Sequence, residues 1–188
     1  MKKLLIAAAM VAFATPALAA TDGNLSETSS TGSLDVTVSI PKMVRVSGLQ
    51  DMTFNISPAM LTEPYFSRED QTDKFCVYSN DGQDGQYSMT VTSSNPGDAH
   101  HHWGLTGAGG VLPFSMWTSD TTNQFKTFNF GQTVTYSTNG DGQGRRTTLN
   151  CSDHGTDASI KVGFDDSDLL AAQAGTYSGT VTVTVSTI

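Results

Sequence analysis

An all-β chain folded as an antiparallel sandwich is the class this sequence predicts, and three observations predict it. Segments with an apolar residue at every second position recur along the chain, and a period of two puts alternate side chains on opposite faces of an extended strand. Clusters of turn-forming residues separate them, in a sequence with 18 glycines and 6 prolines. Helical periodicity is missing, apart from a short turn around residues 168–173. Many short strands at regular spacing, joined by such turns, point to a sandwich of immunoglobulin type.

At the N-terminus, Lys2 and Lys3 precede an apolar run from Leu4 to Ala14, then Pro16 and the small-residue stretch Ala17-Leu18-Ala19-Ala20, the layout of a secretory signal peptide. The run falls short of the roughly 20 apolar residues of a spanning helix, so residues 1–20 are expected to be cleaved rather than kept as an anchor. Export and no membrane insertion are the corresponding expectations. Residues 21–32 are polar and read as a flexible leader. Residues 33–40 then place Leu34, Val36, Val38 and Ile40 on one face and Asp35, Thr37 and Ser39 on the other, the pattern of a half-buried strand. Pro41, which cannot donate to a ladder, interrupts it.

The domain proper is expected over residues 41–188. Its predicted strands are 43–47, 52–56, 74–79, 86–93, 111–118, 133–137, 146–151, 158–164 and 179–186. In the last of these Val181, Val183 and Val185 alternate with Thr180, Thr182 and Thr184. Asn80-Asp81-Gly82, Asn95-Pro96-Gly97 and Asn139-Gly140-Asp141-Gly142 supply turns, being rich in residues that accept positive φ. No internal repeat or second folded domain is apparent.

Eighteen acidic residues against ten basic ones give a formal charge of −8. Nucleic acid and anionic membranes are poor partners for such a surface. Cys76 and Cys151 are an even pair in a chain read as exported, and so read first as a disulfide closing a loop of about 75 residues. Two buried thiols are the alternative.

Sharper chemistry finds little support. His100, His101 and His102 are consecutive, so their side chains diverge, and with distant His154 they make a poor metal set. Cys151 and His154 lack the nearby methionine of a blue-copper loop. Asn139, Asp141, Gln143 and Gly144 imitate the start of a calcium loop, but Asn150 stands where the bidentate Glu belongs. Asp165, Asp166 and Asp168 read as a solvated acidic loop. No nucleophile elbow, metalloprotease helix, phosphate loop or triad is present. Neither an enzyme nor a cofactor is expected.

Three stretches resemble the subunits of chaperone-usher pili, most closely the archaic class with a spore coat protein U-like (Csu-type) domain. They are Thr31-Gly32-Ser33-Leu34-Asp35-Val36-Thr37-Val38-Ser39-Ile40, the central pair Tyr87–Val91 and Leu112–Asp120 with its aromatic-x-x-Asp ending at Trp117 and Asp120, and the closing segment from Ala174 to Val185 with its Gly-x-Tyr-x-x-Thr pattern. Two departures stand out: Met43 and Val44 occupy the place of a cysteine common in archaic subunits, and Thr187 that of a penultimate tyrosine found in type 1 and P pili.

The resemblance implies an incomplete immunoglobulin-like sandwich, one strand short, whose groove is filled first by a periplasmic chaperone and then, at the outer-membrane usher, by the N-terminal donor strand of the next pilin. Residues 21–40 would be leader and donor strand, with Leu34, Val36, Val38 and Ile40 entering the neighbour's groove. Tyr177, Val181, Val183 and Val185 would form the C-terminal strand beside that groove. A pilus at the cell surface, serving adhesion or biofilm formation, is the implied role. Without the resemblance, residues 33–40 read first as an ordinary first strand paired in its own domain, with a detached donor strand as the alternative. They also leave open a secreted monomeric sandwich binding carbohydrate or calcium, with Trp103, Trp117 or Tyr136 as stacking faces.

Overall fold

The computed structural model describes residues 20–62, 68–95, 103–120, 125–139, 145–153, 155 and 158–188. Residues 1–19 of the expected signal segment, His100 to His102, His154 and residues 140–144, which only imitate part of a calcium loop, lie outside them. The chain divides into two compact units, Met1–Ile40 and Pro41–Ile188.

In the first unit Thr21 and Ser33 make an isolated antiparallel bridge, N–H to O distances 2.9 and 2.8 Å, which closes the intervening polar residues into a loop. The half-buried strand expected after it does not form. Residues 34–40 belong to no ladder, and Leu34, Val36, Val38 and Ile40 are 70, 79, 77 and 71% exposed. An alternating comb buries one face only when a surface of matching shape lies against it.

The second unit holds all the named strands. Among the described residues they are β1 (Val44–Ser47), β2 (Arg68–Ser79), β3 (Gln86–Ser93), β4 (Trp103–Gly107), β5 (Gly110–Ser119), β6 (Lys126–Thr127), β7 (Thr133–Ser137), β8 (Ala158–Asp165), β9 (Tyr177–Ser178) and β10 (Val181–Ser186), with one short helix, α1 (Asp166–Ala171). One sheet runs β1-β2-β8-β5-β4-β9, with β6 also on β5, and the other runs β10-β3-β7. All pairings are antiparallel.

The inward positions of both sheets meet in a single core. Phe75 and Val77 of β2, Phe114 and Met116 of β5 and Ile160, Val162 and Phe164 of β8 face Tyr87, Met89 and Val91 of β3 and Tyr136 of β7. Trp103 is 2% exposed, lies over Phe114 at 6.1 Å between ring centroids, and satisfies its indole N–H on the Phe128 carbonyl at 3.0 Å. Tyr136 shares a 2.6 Å hydrogen bond with Thr118. The Cys76–Cys151 disulfide is formed, with Cα atoms 5.7 Å apart. It ties β2 to a loop in which Cys151 itself has φ +54°.

Outward positions differ between the sheets. β2 and β8 carry charges, with Lys161 paired to Asp70 at 3.2 Å and lying 4.6 Å above the Trp117 ring. The outer face of the three-stranded sheet is hydroxyl after hydroxyl. Register sets Thr182 beside Thr92, and Thr184 beside Thr90, which in turn lies beside Thr133. The Thr90 and Thr133 hydroxyls are 2.7 Å apart.

Three further sequence expectations are corrected. Residues 52–56 are not a strand although their alternation is real, because side chains rather than main-chain pairs hold them beside β2. Residues 146–151 are a loop, because Asp153 captures the Thr147 backbone N–H and the Thr147 and Thr148 hydroxyls at 2.6 to 2.8 Å and so withdraws that backbone from a ladder. The strand expected at 74–79 begins at Arg68, since β8 supplies an eight-residue partner to a stretch with no apolar alternation of its own.

Candidate strand-accepting groove

The groove originates at Gly48. β1 pairs with β2 from Val44 opposite Ser79 to Ser47 opposite Cys76. Gly48 then adopts φ +84°, a left-handed conformation that side-chain-bearing residues enter only at a cost, and the chain leaves the ladder. Beyond it the chain still runs beside β2. Asp73 accepts the Gln50 N–H at 2.9 Å, and the Gln71 amide donates to the Thr53 carbonyl at 2.8 Å. Met52, Phe54 and Ile56 are half-buried while Asp51, Thr53 and Asn55 are exposed.

The opposite wall is β10. It is the end strand of its sheet, and among the described residues no strand pairs with its outer edge. Val181, Val183 and Val185 are half-buried and turned inward; Thr182, Thr184 and Ser186 are exposed. Between the walls lies a cleft of about 510 Å³ lined by Met52, Phe54, Leu105, Val181 and Val183, with Phe114, Ile160, Val162 and Phe164 on its floor. A second cleft of about 870 Å³ continues it past Phe54, Leu105 and Phe164 towards Leu169, Ala172 and Tyr177.

Chemically this is an apolar trough beside an unpaired strand edge. Such an edge offers N–H and C=O groups in a row, and an extended peptide that joins it gains main-chain hydrogen bonds while alternate side chains drop into the trough. The six residues of β10 span roughly 20 Å at about 3.4 Å per residue, the length of six to eight residues of an incoming strand.

Val181 and Val183 line the first cleft, and Val185 stands further along the same strand. Tyr177 lies on the separate two-residue strand β9, lines the second cleft, and donates its hydroxyl to the Gln173 carbonyl at 2.9 Å. Of the aromatic stacking faces, Trp103 and Tyr136 are core residues, and Trp117 carries the Lys161 ammonium over its ring. Asp166 and Asp168 fall in the first turn of α1, after Asp165 at its N-cap. Among the described residues no group of three or more His, Cys, Asp or Glu side chains is arranged to hold a metal ion. Sequence reasoning misses the contribution of residues 49–57, Leu105 and Phe164 to the groove; the alternation at 52–56 is the available signal, and by itself it reads as a paired strand.

The fold is that of an all-β, pilin-like sandwich. A chain from a solved structure of a chaperone–tip adhesin complex of CFA/I fimbriae biogenesis superposes with a TM-score of 0.54 over 77% of this chain, at 12% identity. This chain spans 41% of the length of that one. No family model matches the sequence, and no curated protein matches it.

Proposed function

We propose that the chain is a structural subunit of a chaperone-usher surface pilus, polymerising by strand exchange. The observation that carries this reading is the groove: a floor of core side chains opened beside an unpaired β10 edge, in a chain that also carries a four-tooth apolar comb 70 to 79% exposed. The two features are complementary in kind. Leu34, Val36, Val38 and Ile40 repeat every second residue, as strand addition requires, and the segment matches β10 in length. Burying four such side chains contributes on the order of 6 to 12 kcal/mol, and fixing about eight residues costs a similar amount. The new main-chain hydrogen bonds and the covering of the trough therefore decide the outcome.

In this reading a periplasmic chaperone fills the groove first, an outer-membrane usher catalyses the exchange, and identical or related subunits follow. The archaic class, surface localisation, adhesion and biofilm formation come from the resemblance of the N-terminal, central and C-terminal stretches. The neighbour's description as part of a fimbrial chaperone–adhesin complex is consistent with a chaperone partner.

The test is self-complementation. Residues 33–40 are removed from the front of the mature chain and attached after Ile188 through a short flexible linker. The rearranged protein is expected to be a monomer melting well above the parent, while the parent purifies as chaperone-bound or polymeric material. A parent that is monomeric and equally heat-resistant would overturn the proposal and favour a complete secreted sandwich.

A further inference from the structure

We infer that the outer face of the three-stranded sheet is a self-association surface, by which copies held in arrays adhere side by side. This goes beyond strand exchange, since it uses the opposite face of β10 and needs no exchange to operate.

Charge decides where two copies can meet. The protein carries −8 overall, so two copies repel on approach through most of their surface. β3, β7 and β10 contain no Asp, Glu, Lys or Arg. Their outward side chains are threonines and serines, with the one amide of Gln86. The larger sheet presents Asp70, Lys74 and Lys161 instead. Like-charged copies therefore meet with least repulsion on the hydroxyl face.

The chemistry of the face then selects the partner. A hydroxyl is donor and acceptor at once, so a lattice of threonines can hydrogen-bond to a copy of itself turned through a two-fold axis, as an isologous contact requires. The ladders hold the lattice rigid: Thr184, Thr90 and Thr133 form its central row, in register across the three strands. An ionic ligand finds no countercharge on the three strands themselves. A sugar finds no ring to stack on, because Tyr87 and Tyr136 point into the core.

Size fixes the regime. Three strands of about six residues cover roughly 14 by 20 Å, well below the ~800 Å² per partner of a stable dimer. One pair of faces does not hold two free subunits together. Many faces on two facing arrays do, because each contact after the first is intramolecular.

The test coats beads densely with the full mature chain through a C-terminal tag and measures clumping by light scattering. Wild-type beads are expected to clump, more at about 300 than at about 10 mM NaCl as the general repulsion is screened. Beads bearing Thr135→Lys with Thr184→Lys should clump at least tenfold less, and so should beads bearing Thr135→Glu with Thr184→Glu. A mixture of the Lys and Glu beads should clump again. Melting curves confirm that the variants are folded; Thr92→Lys alone replaces any pair that is not. Dispersed wild-type beads at both salt concentrations, or Lys beads that clump like wild type, overturn the inference. The second result would trace adhesion to strand exchange, which these substitutions leave intact, so failure of the face and failure of the pilus reading remain distinguishable.

Discussion

Phe54 meets Phe164 edge to face, ring centroids 4.8 Å apart and planes at 80°, although Phe54 belongs to no strand and Phe164 lies in the middle of the core. The contact fastens one wall of the groove to its floor. Truncating a fully buried Phe costs about 3 to 5 kcal/mol, and Phe54 is half-buried, so Phe54→Ala is expected to destabilise by about 2 kcal/mol. Chemical denaturation of the self-complemented monomer measures this. A loss near zero would mean that residues 49–57 are not a structural wall.

That contact also marks where the sequence is legible and where it is not. β3 and β7 are predicted to the residue, and β1, β5 and β8 to within one or two, because each alternates apolar and polar side chains and is bounded by turn residues. Met52, Phe54 and Ile56 alternate just as well and do face inward. Their period reports an extended chain with one side against the core, and pairing depends on where Gly48 sends the backbone. The first half of β2 fails in the opposite sense. Arg68 to Asp73 shows no apolar period, and only β8 makes it a strand. β4, with glycines at 104 and 107, carries Trp103 and Leu105 as its large side chains, too few to declare a period. Of the site, the comb and the β10 wall are readable as local patterns, whereas the floor is assembled from β5 and β8, about fifty residues apart in sequence.

Asp153 predicts a specific acid response. Desolvation pushes its carboxyl up, but the hydrogen bonds from the Thr147 N–H, the Thr147 and Thr148 hydroxyls and its own N–H outweigh this and hold it well below the usual carboxylate range. A depressed folded pKa contributes stability that is present above the unfolded value of about 4 and lost as pH falls through the folded one. The stability gap between wild type and Asp153→Asn should therefore be constant from about pH 7 to 5 and close progressively below about pH 4. Urea titrations across that range and down to about pH 2.5 check it; a gap that closes between neutral pH and about pH 5 contradicts the assignment.

The Cys76–Cys151 bridge spans 75 residues, and on the chain-entropy model a loop of that size is worth about 4 kcal/mol. Replacing both cysteines by serine should lower Tm by roughly 10 °C for a domain of this length. The same replacement frees the loop that Asp153 organises, so hydrogen exchange should rise at residues 147–153 before it rises in β8. Uniform loss of protection would instead show that the bridge holds the sandwich as a whole.

Val38 tests the proposed assembly. It is 77% exposed, so an arginine there removes no core contact and should leave the melting temperature of the chaperone-bound subunit unchanged within about 1 °C. In the proposed complex the same guanidinium would enter an apolar trough whose lining includes Phe114, Ile160 and Val162, where an unpaired charge costs several kcal/mol. A loss of that size exceeds the narrow margin left after four apolar side chains offset the ordering of eight residues, so Val38→Arg is expected to abolish polymerisation, by at least a hundredfold in fibre yield. Asp35→Arg, on the opposite side of the comb, points to solvent in the same complex and should assemble normally. Electron microscopy and sedimentation of the two variants beside wild type decide between position-specific burial and a general intolerance of positive charge in the leader, since only the first separates residue 38 from residue 35.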